Sequence, residues 1–212
     1  MSGMVDDTTD RTGGEVTDLS ARIGARVRQL RTDHGYSLDV LAARSGVSRS
    51  AISTIERGTA SPTAVVLERL ATGLDVPLAS LFDPVPSVDA PSPVVRQADQ
   101  EWWRDPGSGY RRRNVSPPAW PSPIRIVESV LTAYATVAYE TAERDVEIHQ
   151  QVWVLAGWLD LTVGSETHHL GAGDCVAMRL DRPITFHNAS ATRTRYAVVI
   201  VSERPPARRG ST

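Results

Sequence analysis

Residues 37–58 read SLDVLAARSGVSRSAISTIERG, and this stretch decides the fold of the first third of the chain. Ser37 is a typical helix N-cap, and Gly46 ends the helix that follows after about two turns. Ser48 is the cap of a second helix, which ends at Gly58. Two short helices with a glycine turn between them have the spacing of a helix-turn-helix. The predicted helices are Leu38–Ser45 and Arg49–Arg57.

The second of these helices has an apolar side and a polar side. Ala51, Ile52 and Ile55 predict its inner side. The other side carries arginines and short hydroxyl side chains, which are the types that contact base edges and phosphates. These residues are Arg49, Ser50, Ser53, Thr54 and Arg57. The alternative is a plain helical bundle with a solvated polar face.

The flanking sequence predicts three more helices, and thus an all-α, five-helix domain over residues 18–82. An apolar residue recurs every three or four positions in the first, at Leu19, Ile23, Val27 and Leu30. Ser61 followed by Pro62 predicts the start of the fourth helix, and Pro77 opens a short fifth. Residues 19–82 hold eight arginines and five acids, although the whole chain has a net charge of −2. This local excess favours double-stranded DNA as a partner.

The rest of the chain divides by composition. Residues 1–17 are polar and acidic and predict a disordered arm, and residues 83–93 hold four prolines and predict a linker. Residues 94–202 contain short segments rich in Val, Ile, Thr and Tyr between glycines, which predicts an all-β sandwich or barrel. Residues 203–212 predict a disordered tail.

Composition excludes several classes of protein. The longest apolar run has six residues, whereas a membrane-spanning helix needs roughly 20. The N-terminal MSGMVDDTTD is acidic and predicts no export signal. Cys175 is the only cysteine, which excludes a disulfide scaffold and fits a cytoplasmic protein. Because it follows a Gly-Asp turn into an apolar strand, we expect its thiol to be buried.

Residues 37–82 resemble the phage-repressor-type (XRE-type) helix-turn-helix family. The resemblance rests on I-E-R-G at residues 55–58, S-P at residues 61–62 and V-P-L-x-x-L-F at residues 76–82. It implies that Arg49, Ser50 and Thr54 occupy base-contacting positions. It also implies a structural pair between Glu56 and Arg31.

Arg44 and Arg57 are predicted to contact phosphates, and Ser37 and Ser48 to lie at helix N-termini that donate to phosphates. Each could instead be only a cap or a surface charge, and Arg49 could contact a phosphate rather than a base.

Residues 149–188, HQQVWVLAGWLDLTVGSETHHLGAGDCVAMRLDRPITFHN, resemble the cupin family, whose fold is a double-stranded β-helix or jelly-roll barrel. Metal-binding cupins supply histidines and a glutamate, a donor set suited to Fe, Mn, Ni or Zn. Here Gln150 takes the glutamate position, Glu143 and Asp145 lie near two histidine positions, and Ile184 replaces the last histidine. We therefore expect no metal, no cofactor and no enzyme activity. An unusual site with His149 and His187 is the alternative.

Helix-turn-helix domains followed by cupins are a recurrent layout of transcriptional regulators. We therefore expect a homodimer that binds a palindromic operator, has no membrane association and senses an unknown small-molecule effector. The predicted pocket residues, which could equally be plain core, are Gln150, Val152, Val154 and Ile184. Outward-facing Trp153 and Leu155 would need cover, which predicts a dimer.

The alternatives are a barrel that only dimerises and a metal-dependent oxygenase or epoxidase with the same layout. The run Arg111–Arg113 is open between a solvated strand face, an anion contact and a contact to the DNA backbone.

Overall fold

The computed structural model describes residues 15–84, 90–140 and 146–203. Four α-helices form the first part: α1 (Glu15–Asp33), α2 (Leu38–Ser45), α3 (Arg49–Glu56) and α4 (Ala64–Gly73). The prediction of a fifth α-helix is wrong, because Leu78–Phe82 is a 3₁₀ helix. Pro77 lacks an N–H and Asp83 is already extended, so only five residues remain, and such short runs favour the tighter i→i+3 bonding.

Side-chain caps begin three of these helices. Ser37 Oγ accepts a hydrogen bond from Val40 N, and Ser48 Oγ accepts one from Ala51 N. The predicted start of α4 at Ser61 and Pro62 is wrong, since the cap is Thr63. Helix α1 begins at Glu15, inside the predicted arm, and residues 1–14 of that arm lie outside the described residues.

Two glycines fix the arrangement of α2 and α3. Gly46 ends α2 with a φ of 66°, in the left-handed region that glycine enters without strain. Gly24 of α1 lies against α3, and a Cβ there would be 2.1 Å from the carbonyl oxygen of Ile55. Helix α3 therefore packs directly on the backbone of α1, with Ile52 and Ile55 buried beneath it.

The described residues of the second part form ten antiparallel strands in two sheets. The strands are β1 (Trp103–Arg104), β2 (Arg111–Asn114), β3 (Ile124–Leu131), β4 (Thr136–Tyr139), β5 (Glu147–Ala156), β6 (Trp158–Val163), β7 (Glu166–Gly171), β8 (Cys175–Arg179), β9 (Ile184–His187) and β10 (Thr194–Glu203). The six-stranded sheet has the order β1-β2-β3-β10-β5-β8, and the four-stranded sheet has the order β4-β9-β6-β7. This two-sheet, all-β architecture is cupin-like. The predicted tail begins at residue 203, which β10 still includes, and residues 204–212 lie outside the described residues.

Side chains alternate along β5 between the core and the outer face of the six-stranded sheet. Val152 and Val154 are fully buried, whereas Trp153 between them is 50% exposed. The prediction of a buried Cys175 is wrong: its side chain is exposed. Cys175 lies opposite Trp153 on the edge strand β8, and paired residues of antiparallel strands share a face.

The helical and β parts pack directly against each other. Asp105, which is 5% exposed, accepts a hydrogen bond from Ala64 N at 2.9 Å and so caps α4 from the β part. Asn114 Nδ2 donates to the carbonyl oxygen of Ala79, and Arg125 pairs with Asp83 at 3.3 Å. The predicted linker therefore joins two parts already in contact, and its residues 85–89 lie outside the described residues. No helix in the described ranges is long and apolar enough to span a bilayer.

Candidate nucleic-acid interface and interior cavity

The outer face of α3 presents a row of polar side chains. Arg49, Ser50 and Arg57 are exposed, and Ser53 and Thr54 are half-buried. Arg57 Nη1 donates to Ser53 Oγ at 2.9 Å, and Thr54 Oγ1 donates to the carbonyl oxygen of Ser50 at 2.9 Å. These side chains are held along a helix about 12 Å long, a length that fits within a major groove.

Arg49 is the most available cation on this face. Its side chain is 65% exposed and pairs at 3.3 Å with Asp39, which is 75% exposed. Such exposed pairs contribute little to stability. The guanidinium can therefore exchange Asp39 for a base or a phosphate.

Arg44 is bound within the helical part. Its Nε donates to the carbonyl oxygen of Gly73 at 2.8 Å, its Nη2 lies 2.5 Å from Asp75 Oδ2, and its Cζ lies 5.1 Å from the centre of the Tyr36 ring. These contacts hold the side chain against the helical part, and its contact with a DNA phosphate stays a prediction. The hydroxyls of Ser37 and Ser48 are likewise engaged as caps, with Ser48 Oγ also 3.2 Å from Ser50 Oγ.

Arg31 and Glu56 join α1 to the last turn of α3. Two parallel bonds connect them, Nε to Oε1 at 2.7 Å and Nη2 to Oε2 at 2.9 Å. Arg31 Nη1 also donates to the carbonyl oxygen of Tyr36. The side chains are only 13% and 8% exposed, and the hydrogen bond with Glu56 raises the pKa of Arg31. The carboxylate thus faces away from the polar row and holds α3 in place.

A cavity of about 50 Å³ lies between the two sheets, and residues of the helical part also line it. Of the predicted pocket residues, Gln150 and Ile184 line it, whereas Val152 and Val154 lie in the surrounding core. The helical part contributes Glu68, on α4, and Leu78.

Several polar side chains of this cavity were not predicted. Arg112, only 3% exposed, lines it together with a group of hydroxyls. Tyr110 and Ser129 lie in hydrogen-bond contact at 3.0 Å, and Tyr196 bonds to the same pair. Burial raises the pKa of Tyr139 and Tyr196 well above the usual value, so both are neutral. The signal for Arg112 was strand alternation, which points the middle residue of the Arg111–Arg113 run inward.

The two histidines of the alternative metal site lie on different sheets. His149 lies on β5, and His187 lies on β9 of the other sheet, where its Nδ1 contacts Thr136 Oγ1 at 2.8 Å. Among the described residues, no three His, Cys, Asp or Glu side chains are grouped as metal ligands would be. Glu143 and Asp145, near the histidine positions of metal-binding cupins, lie outside those residues.

Known proteins resemble both parts of the chain. The helix-turn-helix domain family matches residues 22–81. The HTH-type transcriptional regulator SutR of Escherichia coli K12 is 27% identical over 81% of this chain and 89% of its own length. SinR, an HTH-type transcriptional regulator of Bacillus subtilis 168, is 37% identical over 38% of this chain and 69% of its own. A solved HTH_3 family transcriptional regulator from Vibrio cholerae shares the fold with a TM-score of 0.71 at 21% identity, over 89% of this chain and 99% of that one.

These matches agree with the geometry of α2 and α3 and with the two-sheet part that follows them. The chain therefore belongs to the helix-turn-helix-type transcriptional regulators, as an XRE-type member with a cupin-like C-terminal domain.

Proposed function

We propose that the chain is a sequence-specific DNA-binding regulator that reads the major groove with α3. The observation that carries this proposal is the two-sided character of α3: its inner face is locked against α1, and its outer face is polar and exposed. In this proposal Arg49 contacts a base with both arms of its guanidinium, which suits guanine. Ser50 and Thr54 contact neighbouring bases, and Arg57 and Ser53 contact phosphates.

The proposed regulator is a homodimer that pairs through the outer face of the six-stranded sheet. Ile126, Val199 and Gln151 lie in one row across β3, β10 and β5, and Trp153, 50% exposed, lies in the next. Burying the apolar side chains of Ile126, Val199 and Trp153 stabilises such an interface. A two-fold dimer presents two copies of α3 to half-sites about 34 Å apart, hence the proposed palindromic operator.

The cupin-like part is proposed to close as a jelly-roll barrel and to sense an effector in its cavity. Gln150 and Ile184 at metal-ligand positions support a sensor rather than a metal-dependent oxygenase. A cavity lined by residues of both parts lets a bound molecule act on the helical part directly. We place this regulator in the cytoplasm.

In vitro selection of DNA by the full chain tests the proposal. We expect a palindromic consensus, and binding that weakens as salt rises. Arg49→Ala should then cost about 1–3 kcal/mol on the selected site and relax one base position. Arg28→Ala, at an exposed position of α1, is the matched control and should change neither property. An Arg49→Ala variant with unchanged affinity and consensus would rule out α3 as the reading helix.

A further inference from the structure

We propose that the cavity between α4 and the two sheets binds a small carboxylate, held by the guanidinium of Arg112. This inference rests on the proposed function and names the chemical class of its effector.

Arg112 is the group that points to an anion. It lies in the middle of β2, is 3% exposed and lines the cavity. Within the described part of the chain its Nε makes no hydrogen bond. Buried donors are nearly always paired, because leaving one unpaired forfeits its interaction with water. A carboxylate presents two oxygens in the geometry of the guanidinium fork.

The other side chains around the cavity agree with this ligand. Glu68 is the other charged residue of the lining. It already interacts with another group of the chain, so it does not require a cationic ligand as a partner. The hydroxyl of Tyr139 is neutral and can donate to an anion, whereas the hydroxyl of Tyr196 already bonds to Tyr110 and Ser129. Apolar walls complete the lining and suit a methyl or methylene group: Val127, Ile184, Phe186 and Val198.

The cavity volume limits the size of the ligand. A space of about 50 Å³ holds roughly four molecules of water, at about 10–15 Å³ for each. Acetate and propanoate have a comparable number of non-hydrogen atoms, so they fit without a large rearrangement.

Arg112 also links the cavity to the helical part. Its Cζ lies 4.5 Å from the centre of the Phe82 ring, at the end of the 3₁₀ helix, and Leu78 of that helix lines the cavity. A carboxylate that attracts the guanidinium competes with this cation–π contact. The ligand therefore changes how the 3₁₀ helix is held against the β part.

The test is isothermal titration of the full chain with acetate and propanoate, and with ethylamine, propylamine and acetamide as matched probes. We expect one carboxylate per chain and no binding of the amines or the amide. Gln150→Glu adds a negative charge beside the cavity and should weaken carboxylate binding by about tenfold or more. Gln97→Glu, at an exposed position outside the cavity and outside the proposed dimer face, is the matched control and should bind as the parent does.

Two further measurements keep the proposal falsifiable. Arg112→Lys keeps the positive charge but loses the planar guanidinium that can bond both carboxylate oxygens, so it should weaken binding. This variant tests the proposal independently if Gln150→Glu fails to fold. Hydrogen exchange at Leu78–Phe82 should change when propanoate is added. Preference for the amines, absence of carboxylate binding at millimolar concentration, or equal weakening by Gln150→Glu and Gln97→Glu would overturn the inference. A chain that selects DNA but ignores carboxylates loses only this inference, whereas one that selects no DNA loses the proposed function.

Discussion

Replacing Glu56 by glutamine should destabilise the chain much more than replacing an exposed glutamate. Glu56 and Arg31 are joined by two hydrogen bonds and are 8% and 13% exposed. Breaking a buried pair by removing one charge costs about 3–5 kcal/mol, because the remaining ion is left without compensation. Arg31 keeps the carbonyl oxygen of Tyr36, and glutamine keeps one acceptor. We therefore expect about 3 kcal/mol, the lower end of that range.

Urea unfolding of the full chain, followed by circular dichroism, measures this loss. Glu101→Gln is the matched control, because Glu101 pairs with Arg22 at 2.6 Å with both side chains about half-exposed. That substitution should cost about 1 kcal/mol or less. If Glu56→Gln were no more destabilising than the control and yet abolished DNA binding, Glu56 would be a DNA contact and its structural role would be refuted.

Three further predictions concern other parts of the chain. Gly24→Ala should lower the free energy of unfolding by more than about 1–3 kcal/mol, because its Cβ would lie 2.1 Å from the carbonyl oxygen of Ile55. Gly107→Ala is the matched control, because the atom nearest to its added Cβ would be 3.5 Å away, an ordinary contact. Burial raises the pKa of Glu128, but hydrogen bonds from Arg113 and Arg195 outweigh it and leave that pKa lowered. Glu128 therefore stabilises the fold at neutral pH and loses this effect as pH falls through its folded pKa, so unfolding free energy should fall more steeply on acidification in the parent than in Glu128→Gln. Trp153→Asp should make the chain monomeric in sedimentation. Trp158→Asp changes a 65% exposed tryptophan of the other sheet and should leave the dimer intact. If both variants remained dimeric, the proposed interface would be excluded.

The secondary structure of the helical part could be predicted from its sequence, because helix caps and turns depend on neighbouring residues. The caps Ser37 and Ser48 and the turn at Gly46 act within a few residues, so α2 and α3 were predicted to within a residue of their ends. Where two local signals competed, the sequence misled: Thr63 caps α4 although Ser61 and Pro62 suggested an earlier start.

Features that depend on distant parts of the chain were harder to predict. The exposure of Cys175 depends on β8 being an edge strand that pairs with β5. Arg112 and Glu68 are 44 positions apart and meet at one cavity only because the helical and β parts pack together. Strand alternation could have identified Arg112 as an inward-facing side chain, but no pattern in the sequence indicates that Glu68 lines a cavity.

The cap that Asp105 places on α4 bears on how such regulators exchange parts during evolution. A gene fusion that supplied a different sensor would also have to supply an acceptor for the Ala64 amide, at the same place relative to the helix. Without it, the first turn of α4 would lose a charged partner at its positive end. Recombination near the linker is therefore constrained by a residue beyond the junction, and position 105 should vary together with the sequence that begins α4.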